Sequence, residues 1–280
     1  MLFFLINTQL NGVTYTVETG KNYAIVGVPG INTCNAINKN TFTSRQIQLE
    51  TTVTINSQEY DVLEIAPYAF YQYKSFQSIV FPQKLVKIGE KAFDQGNHNI
   101  TEISFPNSVT YLGNYCFAVA RIKIFKIGKN VNYIGNCIIG ADPVLEKIIV
   151  DRNNPYFAHD AHFNLYSKNF TVLYQINAIR DYYVTLQTVR YLKTQSIDAI
   201  PIKSVTITQD CYFESNAISY CDQLVNITFH GRILSQTSAV VGIYELSIIW
   251  YYSSNPVYKA VLASVPISNI VVYCCNITIL

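Results

Sequence analysis

The stretch ISFPNSVTYLGNYCF, Ile103 to Phe117, decides the fold, because its neighbours repeat it on both sides. From Phe105 the apolar or small residues fall at Val109, Leu112-Gly113 and Cys116-Phe117. Counting the same offsets from Phe81 reaches Leu85, Ile88-Gly89 and Ala92-Phe93, and from Ile127 it reaches Val131, Ile134-Gly135 and Ile138-Ile139. An earlier copy holds Val62, Ile65-Ala66 and Ala69-Phe70. Ahead of each such segment stands an apolar triplet spaced +3 and +5: Phe76, Ile79, Phe81; Ile100, Ile103, Phe105; Ile122, Phe125, Ile127; Leu145, Ile148, Val150. Two residues apart is the spacing of one face of a strand, so the last two members of each triplet point inward together. Pro82 and Pro106 close two of these strands, since proline has no N–H to extend a ladder. Gly89, Gly113 and Gly135 are placed where a turn needs a positive φ or where coils approach closely.

The triplets continue to the C-terminal end as Ile202, Val205, Ile207; Leu224, Ile227, Phe229; Leu246, Ile249, Tyr251; and Ile267, Ile270, Val272. Partial copies at Val53-Ile55 and Val184-Leu186 complete a ladder at 55, 81, 105, 127, 150, 186, 207, 229, 251 and 272. Its steps are 26, 24, 22, 23, 36, 21, 22, 22 and 21 residues, one coil each apart from the long fifth step. A single coil cannot bury its apolar face, so such a chain is stabilised by stacking. Composition agrees: 35 Ile against 17 Leu, with 22 Tyr, favours strands over helices. The expected fold is mainly β, a solenoid of about ten coils with a stacked sheet face, short return strands and little helix. The 280 residues are 50% hydrophobic and only 14% charged, which excludes disorder for most of the chain. A net charge of +2 offers no footprint for nucleic acid or an anionic membrane. No apolar run reaches the roughly 18–20 residues of a membrane-spanning helix.

The strand-then-turn pattern, roughly I-x-F-P followed by V-x-x-I-G-x-x-A-F, resembles the BspA-like leucine-rich-repeat surface proteins, and Ile103 to Phe117 matches it almost position for position. VDRNNPYFAHDAHFNLYSKNFTVLY, Val150 to Tyr174, resembles that family's interruption between repeats and accounts for the 36-residue step. Leu10 to Gly27 resembles its N-terminal β unit. The resemblance implies an N-terminal capping unit over 1–58, regular leucine-rich repeats over 59–150, a hairpin interruption over 151–180 and degenerate repeats over 181–280, as one continuous solenoid. The hairpin is expected to protrude, with its tip near His159 to His162.

Chemistry-bearing residues are sparse. His159-Asp160-His162 is the one metal-like cluster, short of the three or four convergent ligands of a zinc site, and no cofactor is expected. His98 and His230 read as loop residues. Seven cysteines, without a CxxC, read mainly as buried thiols. Cys116 takes the small-residue slot of Ala92, and a Cys116–Cys137 bridge between coils is the alternative. No nucleophile elbow, phosphate loop, H-E-x-x-H or recurring carboxylate pair occurs, so no catalytic residue is assigned. Sequons stand at Asn99, Asn169, Asn226 and Asn276. Met1 to Ile6 is too short for a signal-peptide core, and Leu280 follows a strand without a visible capping coil.

Residues flanking the inward positions face outward, and among them Ile124, Lys126, Lys147, Ile149, Tyr183, Ile248 and Trp250 are the candidate ligand-binding set. An extended face mixing aromatic, apolar and polar groups suits protein recognition. The expected function is a non-catalytic binding scaffold. The family resemblance implies protein partners, host or matrix surface proteins among them, and a cell-surface or extracellular place. An intracellular interaction scaffold and a polysaccharide-cleaving β-solenoid enzyme are the alternatives.

Overall fold

The computed structural model describes residues 5–75, 77–96, 100–140, 142–177, 180–234, 238–241, 243, 248–251 and 271–274, the last two segments by their backbone alone. All regular structure among them is β-strand. The chain divides into two compact units, Met1–Ile139 with Ile149–Pro155, and Gly140–Ile148 with Tyr156–Leu280. Their strands make a β-solenoid of about eight turns, fewer than the ten that the spacing predicts.

In the first unit the chain begins with an antiparallel meander, Leu5–Leu10, Val13–Glu18 and Tyr23–Val26. Its third strand pairs in parallel with Gln58–Ile65 and starts a return ladder that continues through Lys87–Ile88, Tyr111–Leu112 and Tyr133–Ile134. The front strands pair as Gln46–Gln48 with Ser78–Val80, and Glu102–Ile103 with Ile124–Ile127. Val53 and Ile55 are therefore not a coil of the front ladder. Thr52–Ile55 folds back antiparallel on Gln58–Ile65 through Asn56 and Ser57, whose φ values of 49° and 64° make the tight two-residue hairpin turn. Ile47, opposite Ile79, takes the place assigned to that copy, and Ile47 and Leu49 are both buried.

Every described apolar offset of the regular copies faces the core. Leu85, Ile88, Ala92 and Phe93, then Val109, Leu112, Cys116 and Phe117, then Val131, Ile134, Ile138 and Ile139 are all buried. Phe70, Phe93 and Phe117 stack one on the next, with ring centroids 5.1 and 4.7 Å apart and planes within 13° and 6°. The three glycines are needed for close approach and not for a positive φ. A Cβ on Gly89, Gly113 or Gly135 would lie 2.5–2.8 Å from backbone atoms of the preceding coil. Left-handed backbone falls instead on Tyr68, Lys91, Tyr115 and Cys137, at φ 51–58°, and again four residues after the first three, on Gln72, Gln95 and Val119. Cys137 thus sits in the turn, one position before Ile138, which is the true successor of Cys116. That offset explains why no disulfide joins the two thiols, and burial holds the Cys116 thiol well above its usual range.

Close to this stack, burial pushes the Asp94 carboxyl from 3.8 up to about 6, against the pull of Lys91. Its folded value exceeds its unfolded one, so its contribution is present below about pH 4 and is lost as pH rises through about 6. Asp94→Asn is expected to flatten the stability profile between pH 4 and 6 and to add on the order of 1 kcal/mol at pH 7. Urea melts across that window measure this, and an unaltered slope would refute it.

The second unit carries three parallel ladders. The front one runs Tyr182–Val184, Ser204–Ile207, Asn226–Phe229, Ile248–Tyr251 and Val271–Cys274. The second joins Val172–Gln175, Tyr191–Leu192 and Tyr212–Phe213, and the third joins Ile197–Asp198, Ile218–Ser219 and Val240–Val241. Where the first unit has the glycine column, this unit has Lys193 and Glu214, which form an ion pair. The register of the first front strand differs from expectation by one residue. Tyr183 lies opposite Val205 and is 7% exposed, with Thr185 at 3%, whereas Val184 is 49% exposed. Tyr183 is a core residue, not an outward one. Counted from Thr185, the next step to Ile207 is 22 residues, like those that follow it.

The interruption is a meander, Phe157–His159, Leu165–Ser167 and Val172–Gln175, but it does not protrude. Its last strand is the first rung of the second ladder, and Leu165, Tyr166 and Leu173 are fully buried. Solvent reaches its connecting segments, at Pro155-Tyr156, Ala161-His162 and Lys168-Asn169.

Candidate functional site

Within the second unit the interruption and the first front strand enclose a cleft of about 400 Å³. Asp160, His162 and Asn164 of the hairpin loop form one wall, and the run Tyr182 to Gln187 forms the other, with Asn177 and Arg180 at its end. Asp160 organises the loop through four hydrogen bonds. One carboxylate oxygen accepts from the backbone N–H of His162 and Asn164, at 2.9 and 3.0 Å. The other accepts from Asn164 Nδ2 at 3.0 Å and from the Tyr166 hydroxyl at 3.1 Å. The Tyr166 hydroxyl also meets the Tyr183 hydroxyl at 2.9 Å, tying the hairpin beneath the front strand. Burial raises both phenols above their usual range, so they act here as neutral hydrogen-bonding groups. On the strand side, Thr185 Oγ1 accepts from Thr208 N at 2.9 Å, and Thr208 Oγ1 donates to the Thr185 carbonyl at 3.1 Å.

This geometry gives the His-Asp-Ala-His motif a structural role. Asp160 already holds four donors, and His159 stacks on Phe163 with ring centroids 5.4 Å apart. Among the described residues no three His, Cys, Asp or Glu side chains converge as a metal site would require.

The structure disperses the sequence-derived set. Ile124 and Lys126 lie on the first unit's front face, half-exposed, with Lys126 paired to Glu102 at 2.5 Å. Lys126 and Ile149 share a second hollow of about 250 Å³ with Ser104 and Asp151. Lys147 sits in the second unit, its ammonium 5.1 Å from the Phe163 ring centroid. Tyr183 forms the floor beneath the front strand. Ile248 and Trp250 pair in register with Asn226 and Thr228, and their side chains lie outside the described residues. Asn169 is exposed in a turn where its Oδ1 accepts from Ser167 and Thr171 hydroxyls, each at 2.8 Å. Asn226 is built into a strand with its Oδ1 buried and without a hydrogen-bond partner among the described residues, while Asn99 and Asn276 lie outside them.

Outward groups that the spacing did not single out are Tyr182, 55% exposed, and Val184. The usable signal was the 36-residue step, which marks the place where the ladder is broken. A second feature is the position before the inward residue of each return strand. It holds Tyr111 and Tyr133, stacked 4.3 Å apart, in one unit, and Tyr191 and Tyr212, 5.8 Å apart, in the other.

Residues 35–169 match the model of the BspA type leucine rich repeat region, in six copies. That segment consists of BspA-type leucine-rich repeats. Among solved structures it is similar to a leucine-rich repeat protein from Eubacterium ventriosum, with a TM-score of 0.55 at 16% identity over 91% of this chain and 80% of that one. It is also similar to the pneumococcal vaccine antigen PcpA (TM-score 0.42, 16% identity, 96% and 99% covered). A leucine rich cell surface protein from Faecalibacterium prausnitzii gives 0.43 at 15% identity, with 97% and 96% covered. No curated protein matches the sequence. Leucine-rich-repeat families are generally non-enzymatic scaffolds, commonly protein-binding.

Proposed function

We propose that this BspA-type repeat protein is a non-catalytic binding scaffold that recognises protein partners at the cell surface or outside the cell, through the outward face of its front strands. The observation that carries the reading is the face itself. Inward positions are filled by packed Ile, Val and Phe, while outward positions leave apolar and β-branched groups accessible beside polar ones, Ile124 with Lys126 and Glu102 in the first unit and Thr206 with Ser204 in the second. Such a mixture is characteristic of recognition surfaces. The surface location is drawn from the family resemblance, and exposed Asn169 is a suitable glycan acceptor for an exported chain.

Two measurements test this. Antibody staining of intact, non-permeabilised cells is expected to detect the protein; detection only after permeabilisation would overturn the surface assignment. Adhesion of the purified chain to immobilised extracellular matrix extract is expected to fall at least tenfold in an Ile124→Glu, Thr206→Glu variant with an unchanged circular dichroism spectrum. Equal adhesion by that variant would remove the front face as the binding surface.

A further inference from the structure

The first front strand of the second unit, Tyr182–Val184, is the edge of its five-stranded sheet. Its hydrogen bonds to the neighbouring strand come from alternate residues, as parallel pairing requires. The Asp181 carbonyl accepts from Lys203 and Ser204 N–H at 2.6 and 3.1 Å, and Thr185 N–H donates to the Thr206 carbonyl at 2.9 Å. Tyr183, between them, lies opposite Val205. The intervening residues Tyr182 and Val184 therefore turn their N–H and C=O groups to the opposite side, which is the side of the cleft.

An uncovered parallel edge is a template for another strand, and proteins normally blunt or cover it. Here the edge is held open, because the hairpin loop that walls the cleft is fixed by Asp160 and by the Tyr166–Tyr183 pair, and the Phe163 carbonyl is engaged by Ile148 N–H at 3.3 Å. A three-residue strand occupies roughly 500 Å³, taking ~3.3 Å per residue, ~4.8 Å between strands and ~10 Å between faces. The cleft of about 400 Å³ is matched to a segment of that length. Its charge is one-sided on the strand wall. Asp181 is paired with Lys203 at 2.8 Å, whereas exposed Arg180 makes no ion pair among the described residues.

We propose that this cleft binds an extended segment of a protein partner by strand addition to Tyr182–Val184. Main-chain hydrogen bonds to Tyr182 and Val184 supply the affinity. The segment alternates β-branched or aromatic residues that pack beside the exposed Tyr182 and Val184 side chains, and it carries a carboxylate side chain opposite Arg180. This rests on the reading of the chain as a protein-binding scaffold, and it names a site separate from the outward face.

The probe is a phage-displayed library of random nine-residue peptides, selected on the full chain, with the enriched peptide then synthesised. An alternating apolar sequence with an acidic residue is expected, and its binding is expected to slow hydrogen exchange at the Tyr182 and Val184 amides. Val184→Pro removes an N–H that the ladder does not use, a placement that an edge strand tolerates. It is expected to weaken the peptide at least tenfold, and Arg180→Glu by about threefold or more. On the ligand side, N-methylation of alternate peptide amides is expected to abolish binding to the unaltered protein, so the result does not depend on the proline variant folding. Unprotected Tyr182 and Val184 amides, indifference to N-methylation, or no enriched peptide would overturn the proposal. A dimer in light scattering that Val184→Pro dissociates would also overturn it, by making a second copy the occupant. Loss of adhesion in the Ile124→Glu, Thr206→Glu variant with peptide binding intact separates the two sites.

Discussion

Phe117→Ala is expected to destabilise the protein by about 3–5 kcal/mol, the range for truncating a fully buried aromatic ring. The ring is 1% exposed and sits at the end of the Phe70–Phe93–Phe117 stack, with Phe105 and Phe125 packed against it at 5.7 and 5.6 Å. Phe93 and Phe125 belong to adjacent coils anchored by their own ladders, so they cannot collapse into the space, and the cavity term adds to the lost transfer energy. The measurement is the shift in urea midpoint at constant m-value. A loss below about 1 kcal/mol, in the range of a surface substitution, would mean the coils are not stacked in this register.

Gly113→Ala is the second large effect, and it acts by overpacking. The added Cβ would lie 2.7 Å from Glu90 N and 2.8 Å from Gly89 C. Both are backbone atoms of the preceding coil and have no rotamer by which to move away. Inserting a methyl into a packed site costs about 1–3 kcal/mol, and the upper end applies where only a whole coil can shift. Gly128→Ala is the control, since its Cβ would meet nothing within 4 Å. That variant is expected to stay within about 0.5 kcal/mol of the parent, as open surface sites do. Equal effects of the two substitutions would remove the close-approach argument.

Much of the architecture was legible because a solenoid writes one packing solution several times. Each offset from Phe81, Phe105 and Ile127 names a core slot, and stacking fixes the neighbour of each slot without further information. The pairing of Phe93 with Phe117 followed directly. The hairpin at Asn56-Ser57 was harder to see. Val53-Ile55 and Ile47-Leu49 both alternate, and only the partner strand Gln58–Ile65 discriminates between them.

The cleft was legible only as a gap. In the run Tyr182-Tyr183-Val184-Thr185-Leu186 either alternation presents an acceptable inward set, and hydropathy alone favours Val184 and Leu186. The tertiary structure decides otherwise, because the hydroxyl of an inward Tyr183 finds the Tyr166 hydroxyl from the interruption, and that of an inward Thr185 finds Thr208. Buried polar atoms need such partners. Here both partners come from other segments, 17 and 23 residues away. The sequence by itself determined the repeat, the coil length, the inward core and the place of the break. The register at the break and the free edge with its cleft were decided by the tertiary structure, since both depend on long-range hydrogen bonds that no local spacing encodes.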